Sequence, residues 1–441
     1  MRLLLICFSL FFVPLHHVWA QKTKYSDAIM SEEIYIAGTV GNTIHAWSIS
    51  NGTRKIFKEP NLLTLHIFSP DLDFIDQKGI SLGESVITKI DFQMENSFYY
   101  INIIYTSNIV YNSSSRVNKR LMYKIDAAGN LTDVTSMPGL FTKPHYSPIS
   151  PSAAINSSNI FEVKISDSVA YSSIVDASLP PGENFDNKQS FEQLAVQKTS
   201  IVKRQVVGKK MYASGYLHFS YLMVKATDST VYVGAFAQSK TGIDKNPYKG
   251  SYLFLGRLDT NLVEPANGTI LLKNEKWPAH VLFIPNDIFS LHNRLLVFST
   301  GVYRKTNFTN YHLDGGNDVF TTFVPLSIMI TQTDENNRLL ADTIIKINEG
   351  RKQLEWGNRF ILPTSSEVHL FCSRLYGASK AGITLFTIGQ DGKINERHLI
   401  VDENYSYALR GALSLEPGIL LVPYTHKRRA GLMKLAYGTT E

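Results

Sequence analysis

Two groups of residues in this chain could hold an anionic ligand. Arginine and lysine form charge-assisted hydrogen bonds with carboxylate or sulfate, and aromatic rings stack on planar or sugar rings. The basic candidates are Arg374, Arg410, Lys427, Arg428 and Arg429. The aromatic and imidazole candidates are His145, Tyr146, Trp277, Trp356, Tyr405 and Tyr407. These residue types predict a binding site for an acidic glycan, another anionic small molecule or an acidic protein surface.

The same residue types would also permit catalysis on an acidic polysaccharide. A lyase acting on uronates needs a cation that neutralises the substrate carboxylate and a His or Tyr that moves a proton. A glycosidase needs two carboxylates close together, for which Glu355, Asp402 and Glu403 are the available acids. Neither set forms a recognisable motif. Ligand binding is therefore the main hypothesis, and a carbohydrate-active lyase or glycosidase is the alternative.

Other chemistries lack their sequence patterns. The chain has no Gly-rich phosphate loop and no His-Glu-x-x-His, Gly-x-Ser-x-Gly or EF-hand motif. The acidic run Asp314–Asp318 lacks the ligand spacing of a calcium loop. We expect no cofactor, no bound metal and no nucleic-acid partner. The net charge of +6 is mild and only slightly favours an anionic partner.

The N-terminus predicts export. Arg2 precedes the short apolar run Leu3–Val13, and small or modest side chains precede a cleavage point after Ala20. The run is too short to span a bilayer, so residues 1–20 are interpreted as a signal peptide. Removing them leaves Cys372 as the one cysteine, and no disulfide can then form within the chain. The expected location is periplasmic, cell-surface or extracellular.

The elements that must position these residues are repeated strands. Apolar, β-branched and aromatic runs recur roughly every 65 residues along the chain, with a shorter last interval. The runs are Ile34–Thr39, Phe98–Thr106, Ile160–Ser166, Thr230–Ala237, Arg294–Val302, Val368–Leu375 and Gly418–Thr425. Each is interpreted as the second strand of a unit, because another strand and a tight turn usually precede it.

Turn-forming residues divide the rest of each unit. Asp, Asn and Gly follow the third strand, as in Asp126–Asn130 and Asp391–Lys393, and such residues favour hairpin turns. A fourth strand then closes the unit. The last unit ends at its third strand, Leu432–Tyr437, while residues Tyr25–Met30 are spare at the other end. We therefore expect the N-terminal segment to supply the missing strand.

Four antiparallel strands per repeat are the pattern of a β-propeller blade. The chain resembles secreted β-propellers in general over residues 21–441. It shows no aspartate box, Trp-Asp or kelch signature that would indicate a particular family. The fold predicted is all-β, a single β-propeller of seven four-stranded blades closed by an N-terminal strand. Six or eight blades, or a pair of β-sandwiches, are the alternatives.

Charge divides between the two faces of such a propeller. The loops that join second and third strands contain sixteen Lys or Arg and five Asp or Glu. The opposite turns are rich in Asp and Glu. This distribution predicts one basic face, on which the candidates above would converge. The competing interpretation is that Asp serves turn geometry and that exposed Lys and Arg are merely solvated.

Overall fold

The residues that a computed structural model describes are almost entirely β-strand. They are residues 23–31, 33–50, 62–82, 86–95, 97–106, 118–136, 161–164, 169–176, 193–200, 203, 205–212, 217–239, 251–272, 281–309, 318–346, 359–376, 380–399, 401–402 and 404–438. The strands pair into seven antiparallel sheets, each corresponding to one repeat. The prediction of a seven-bladed, all-β propeller is confirmed.

The first strand, β1 (Thr23–Tyr25), belongs to the last blade. The first three blades are β2 (Ile34–Val40), β3 (Thr43–Ser50), β4 (Leu62–Phe68) and β5 (Phe74–Ser81); β6 (Val86–Met94), β7 (Phe98–Thr106), β8 (Asn118–Asp126) and β9 (Leu131–Asp133); and β10 (Phe161–Lys164), β11 (Val169–Asp176), β12 (Gln193–Ser200) and β13 (Gln205–Tyr212).

Blades four to six follow the same order. They are β14 (Leu217–Ala226), β15 (Thr230–Ser239), β16 (Ser251–Asp259) and β17 (Thr269–Leu272); β18 (Leu282–Leu291), β19 (Arg294–Thr309), β20 (Asp318–Asp334) and β21 (Leu339–Lys346); and β22 (Arg359–Pro363), β23 (Glu367–Tyr376), β24 (Lys380–Gly389) and β25 (Ile394–Leu399). Within each blade, every strand pairs with its neighbours in sequence.

The seventh blade joins the two ends of the described chain. Its inner strand is split by a 3-10 helix, Leu409–Gly411, into two short pieces. These are β26 (Ser406–Tyr407) and β27 (Leu413–Glu416), which both pair with β28 (Ile419–His426). β28 pairs with β29 (Arg429–Ala436), and β29 pairs with β1. The N-terminal strand therefore closes the ring, as predicted.

Closure uses a segment slightly earlier than the one predicted. Thr23 to Tyr25 lie opposite Leu435 to Met433, and the chain then makes one further bridge between Ile29 and Ala430. The hydroxyl of Tyr424 donates to the Ser26 carbonyl across 3.0 Å. These bonds satisfy β29 along an edge that would otherwise be open to solvent.

Packing between blades forms the core. Trp47 of the first blade and Tyr99 of the second are both fully buried, and the indole nitrogen donates to the tyrosine hydroxyl across 2.9 Å. Burial raises the pKa of Tyr99, which keeps this hydroxyl neutral. Similar apolar clusters join the third blade to the fourth and the fifth to the sixth. The apolar strands predicted from the repeat are thus buried against neighbouring blades.

The Asp residues after third strands hold turns. Asp126 accepts hydrogen bonds from the backbone of Ala128 and Asn130, and these bonds lower its pKa. Asp259 and Asp334 make the same pair of backbone contacts in their own blades. The acidic character of this face therefore follows largely from turn geometry, as the competing interpretation proposed.

In two blades the strand predicted as second is the first. Ile34–Thr39 lies in β2, and the run Ile160–Ser166 overlaps β10; both are innermost strands. The error arises because strands of one blade, such as β2 and β4, are similarly apolar, so their order is ambiguous by pattern. Residues 166–168, which the repeat assigned to a second-to-third loop, lie outside the described residues and come between β10 and β11 in the chain.

Two histidines are buried in the first blade. His66 in β4 is 4% exposed, and its Nε2 shares a 2.8 Å hydrogen bond with the Ser48 hydroxyl. Its Nδ1 is buried and has no partner in the part of the chain that the structure describes. Burial lowers the pKa of His66 to about 4 and also lowers that of His45. Both side chains are therefore held neutral in the folded protein at neutral pH.

This burial predicts acid sensitivity. Unfolded His66 takes up a proton below about pH 6.5, whereas folded His66 resists until about pH 4, so stability is lost as the pH falls through that window. The free energy of unfolding should fall between about pH 7.5 and pH 4.5 in the wild-type protein. In His66→Gln we expect this fall to be smaller by about 2 kcal/mol. Urea unfolding at the two pH values measures the free energy of unfolding of each protein. His292→Asn, at an exposed hairpin position, is the control; an unchanged pH dependence in His66→Gln would contradict the prediction.

Ring closure predicts a second effect. The ring of Tyr25 packs edge-on against Tyr405 and Tyr424, and its hydroxyl lies 3.0 Å from that of Tyr407. We expect Tyr25→Ala to lower the free energy of unfolding by about 2–4 kcal/mol, because it removes these contacts from the closing strand. Lys24→Ala, which removes only an exposed ion pair, should cost under about 1 kcal/mol. Equal losses in the two variants would contradict this role of Tyr25.

Candidate functional site

The inner strands of the blades line the central axis, where propellers form a channel. Five of the described inner strands contain a β-bulge or a register shift: β2, β6, β14, β18 and β27. In the seventh blade, the 3-10 helix also interrupts the inner strand. A bulge adds a residue and redirects side chains, and such features are common beside binding sites. Polar groups can therefore face the axis from strands that are otherwise buried.

The clearest case joins the fifth blade to the sixth. In β18 the register shifts between Pro285 and Asp287, which leaves Asn286 exposed at the bulge. The hydroxyl of Thr300, on the neighbouring strand, donates to Asn286 Oδ1 across 2.5 Å. Arg359, the first residue of β22, donates from Nη1 to the same hydroxyl across 2.5 Å. The network fixes Arg359 on the inner wall.

Arg359 occupies an unfavourable place for a charge. Burial lowers its pKa, and the nearby positive charge of Arg410 lowers it further, whereas Cys372 and Asp287 raise it. Arg410 lies in the 3-10 helix, which contacts β22, and its side chain is partly exposed. Arginine stays protonated in proteins. The guanidinium groups of Arg359, on β22, and of Arg410, in the 3-10 helix beside it, therefore repel each other.

Asp287 compensates only part of this charge. Its carboxylate accepts a hydrogen bond from Lys225 Nζ across 2.7 Å, from the inner strand of the fourth blade. The same ammonium lies 3.5 Å from the centre of the Phe289 ring, a cation–π contact. The three basic side chains Lys225, Arg359 and Arg410 and the one carboxylate come from the inner strands of blades four to six and from the 3-10 helix of the seventh blade. Together they form a basic inner wall.

Of the basic residues predicted from sequence, Arg410 is part of this wall. Arg374 lies near the end of β23, opposite Gly382, on a strand that also contacts the 3-10 helix. Lys427 and Arg428 form the tight turn between β28 and β29, with left-handed backbone angles, and Arg429 begins β29. Pro423 of β28 lies beside Gly411, the residue that follows Arg410 in the 3-10 helix. The Lys427–Arg428 turn begins four residues after Pro423, which is about 13 Å farther along the strand. Their convergence on one ligand stays a prediction.

The two predicted tyrosines have packing contacts in the structure. Tyr407 is 2% exposed, and its hydroxyl donates to the Asp402 carbonyl across 2.7 Å. Tyr405 stacks on Tyr424, with ring centres 4.7 Å apart. Both rings belong to the cluster that holds β1 in the seventh blade. These contacts explain the tyrosines through ring closure, and a contact with ligand is not required to account for them.

Several predicted residues lie outside the described part of the chain. They are His145, Tyr146, Trp277 and Trp356, the acids Glu355 and Glu403, the signal peptide, and the acidic run up to Asn317. Asp402 is described, and its carboxylate accepts bonds from the backbone and side chain of Asn404. A turn role therefore accounts for this third acid of the glycosidase hypothesis.

Sequence reasoning missed the best-positioned residues, namely Arg359, Asn286 and Thr300. One signal was present: Asn286 and Asp287 interrupt an apolar run between Ile284 and Ile288. Two adjacent polar residues break the alternation of a strand, and a bulge accommodates such a break. Nothing local indicates that Arg359, more than seventy residues later, meets them.

Comparisons with known proteins give only distant structural similarity. No protein-family model and no curated protein matches the chain. The polysaccharide lyase Uly1 covers 92% of this chain and 90% of its own at 9% identity, with a TM-score of 0.44. An acylaminoacyl peptidase from Pyrococcus horikoshii covers 93% at 12% identity and a TM-score of 0.36, and the chain spans 53% of that protein. A subtype N10 neuraminidase-like protein of A/little yellow-shouldered bat/Guatemala/060/2010 covers 81% of this chain and 95% of its own at 9% identity, with a TM-score of 0.36.

At scores this low, the comparisons support no inference about activity. The propeller assignment rests on the strand pairing itself. Within the described residues, no helix is long and apolar enough to cross a membrane.

The arginine network gives a prediction about stability. Thr300→Val should lower the free energy of unfolding by about 1–3 kcal/mol, because it leaves Arg359 and Asn286 without their shared partner. Thr331→Val is a matched control: this threonine is also buried in the fifth blade, but its hydroxyl has no hydrogen-bond partner among the described residues. Its replacement should be neutral or stabilising. Chemical denaturation of both variants tests this, and equal effects would refute the role assigned to Thr300.

Proposed function

We propose that this protein is a ligand-binding β-propeller whose channel holds an anionic group between Arg359 and Arg410. The observation that carries the proposal is the placement of Arg359, at the start of β22, beside the 3-10 helix that contains Arg410, with Arg359 fixed through Thr300 and Asn286. A guanidinium recognises planar anions such as carboxylate through paired hydrogen bonds. A bound anion would also relieve the repulsion between the two side chains.

The ligand class follows from the same features. Carboxylate and sulfate on a sugar, or on another small molecule, would meet the arginines. Lys225 lies farther along the wall and could contact a second charge. The bulge in β18 leaves Asn286 exposed beside Arg359, and an amide at this place suits the hydroxyl groups of a sugar. An acidic glycan is therefore the ligand we place first, ahead of other anionic small molecules and an acidic protein surface.

We further propose that the protein is exported. The charged and apolar pattern of residues 1–20 supports this, and cleavage after Ala20 would leave β1 intact, since that strand begins at Thr23. The closing strand would then lie directly behind the new N-terminus.

Binding can be measured by calorimetry with a short galacturonate oligosaccharide, using a neutral maltooligosaccharide as the uncharged control. We expect Arg359→Gln and Arg410→Gln each to weaken galacturonate binding by about 10- to 100-fold, since each removes a charge-assisted contact. Lys119→Gln, an exposed change in the second blade, should leave affinity unchanged. Arg359→Lys should restore only part of the affinity, because lysine lacks the planar fork.

Two outcomes would overturn the binding proposal. The first is that galacturonate binds no better than the neutral sugar, or binds equally to the arginine variants. The second is the appearance of unsaturated products on incubation, measured by ultraviolet absorbance, which would replace binding with the lyase alternative. Thermal unfolding of each variant identifies any loss of affinity that comes from loss of fold.

A further inference from the structure

A second cavity lies on the opposite face, between the sixth and seventh blades. Its volume of about 770 Å³ falls in the range of small-molecule sites. The turn Thr364–Ser366 of the sixth blade and the turn Glu416–Gly418 of the seventh both border it. These turns join first to second strands, so the cavity lies at the other end of the blades from the start of β22, where Arg359 is found.

The floor of this cavity is apolar. Leu362 and Pro363 come from β22 and Leu385 from β24 of the sixth blade, and Pro417 comes from the seventh. Tyr437, which follows β29, adds a ring that is 4% exposed and packs edge-on against His369. An apolar or ring-shaped body would bury its surface here.

The charged groups at the rim are mainly acidic. Glu367 and Glu416 contribute two carboxylates. Arg397 contributes one guanidinium, but its Nη2 donates to the backbone carbonyl of Tyr437 and is thereby committed. In the described part of the chain, the Glu416 carboxylate takes part in no ion pair or hydrogen bond. The rim thus carries a formal charge of −1 with one carboxylate open to a ligand.

His369 does not make this cavity a catalytic centre. Its Nε2 is hydrogen-bonded to Glu367 Oε1, and since a carboxylate can only accept, Nε2 is the donor. Its Nδ1 is buried and has no partner among the described residues. Neither ring nitrogen is therefore placed to exchange a proton with a molecule in the cavity. The pair instead fixes the orientation of the Glu367 carboxylate.

We propose that this cavity is a second binding site, specific for a small molecule that carries an ammonium group on an apolar or ring-shaped body. The ammonium meets Glu416 and Glu367, and the body lies on the floor formed by Leu362, Leu385 and Pro417. This site has the charge opposite to that of the channel and is independent of the proposed function there.

A matched series of probes tests the sign of the charge. Benzylamine, benzyl alcohol and benzoate share one body and differ in charge, and their dissociation constants can be measured by protein-observed NMR. We expect benzylamine to bind more tightly than the other two. Glu416→Gln should weaken benzylamine by about fivefold, and the double variant with Glu367→Gln by about tenfold or more. Glutamine at 367 still offers an acceptor to His369.

The controls separate this site from the channel. Glu335→Gln removes an equal charge from an exposed turn of the fifth blade on the same face and should leave benzylamine binding unchanged. Arg359→Gln, a change in the channel, should likewise leave benzylamine binding unchanged. The proposal fails if no probe binds, if benzoate or benzyl alcohol binds as tightly as benzylamine, or if the Glu416 variant retains full affinity. Failure of galacturonate binding at the channel would not alter any of these results.

Discussion

The pairing of β1 with β29 is the contact on which the rest of this structure depends. It joins residues about four hundred positions apart, and it completes a blade whose other strands come from the C-terminal end. Without it, β29 would expose an open edge and the last blade would lack its outer strand. Tyr405 and Tyr424 stabilise the same pairing, because they pack against Tyr25 and bury the short strand β1 against the seventh blade.

A closed ring also explains how charged residues come to line the axis. Each inner strand packs against the rest of its blade, so a polar residue there must either bond within the wall or face the channel. The bulge in β18 provides the second possibility for Asn286, which is exposed there. Arg359 is subject to two opposing effects. Its hydrogen bond to Thr300 holds the side chain in place, whereas burial and the nearby Arg410 disfavour its positive charge. An arrangement of this kind costs stability unless an anion compensates it.

The two faces of the propeller differ in the origin of their charge. On the face of the third-to-fourth strand turns, Asp126, Asp259 and Asp334 are engaged by backbone amides and hold hairpins. Their negative charge is a consequence of turn chemistry. Glu416 is different, since it borders a cavity and has no bonding partner among the described residues. The distinction matters because a count of charges by face would give all four residues equal weight.

The sequence by itself determined the fold class, the repeat, the turns and the closure by an N-terminal segment. These features depend on local chemistry: apolar runs form strands, Asp and Gly form turns, and an incomplete last unit requires a strand from elsewhere. The order of strands was less secure. Ile34–Thr39 was predicted as a second strand and is a first, because neighbouring strands of a blade have similar composition.

Only the tertiary structure decided which side chains share a site. Arg359 and Arg410 are about fifty residues apart, and Asn286 is farther still, yet adjacent blades bring them to one wall. Tyr405 and Tyr407 have the residue type for stacking on a ligand, but the arrival of Tyr25 gives them packing partners instead. The physical reason is the same in both cases. Strand and turn preferences act over a few residues, whereas a site on the axis depends on contacts between blades, which local sequence does not encode.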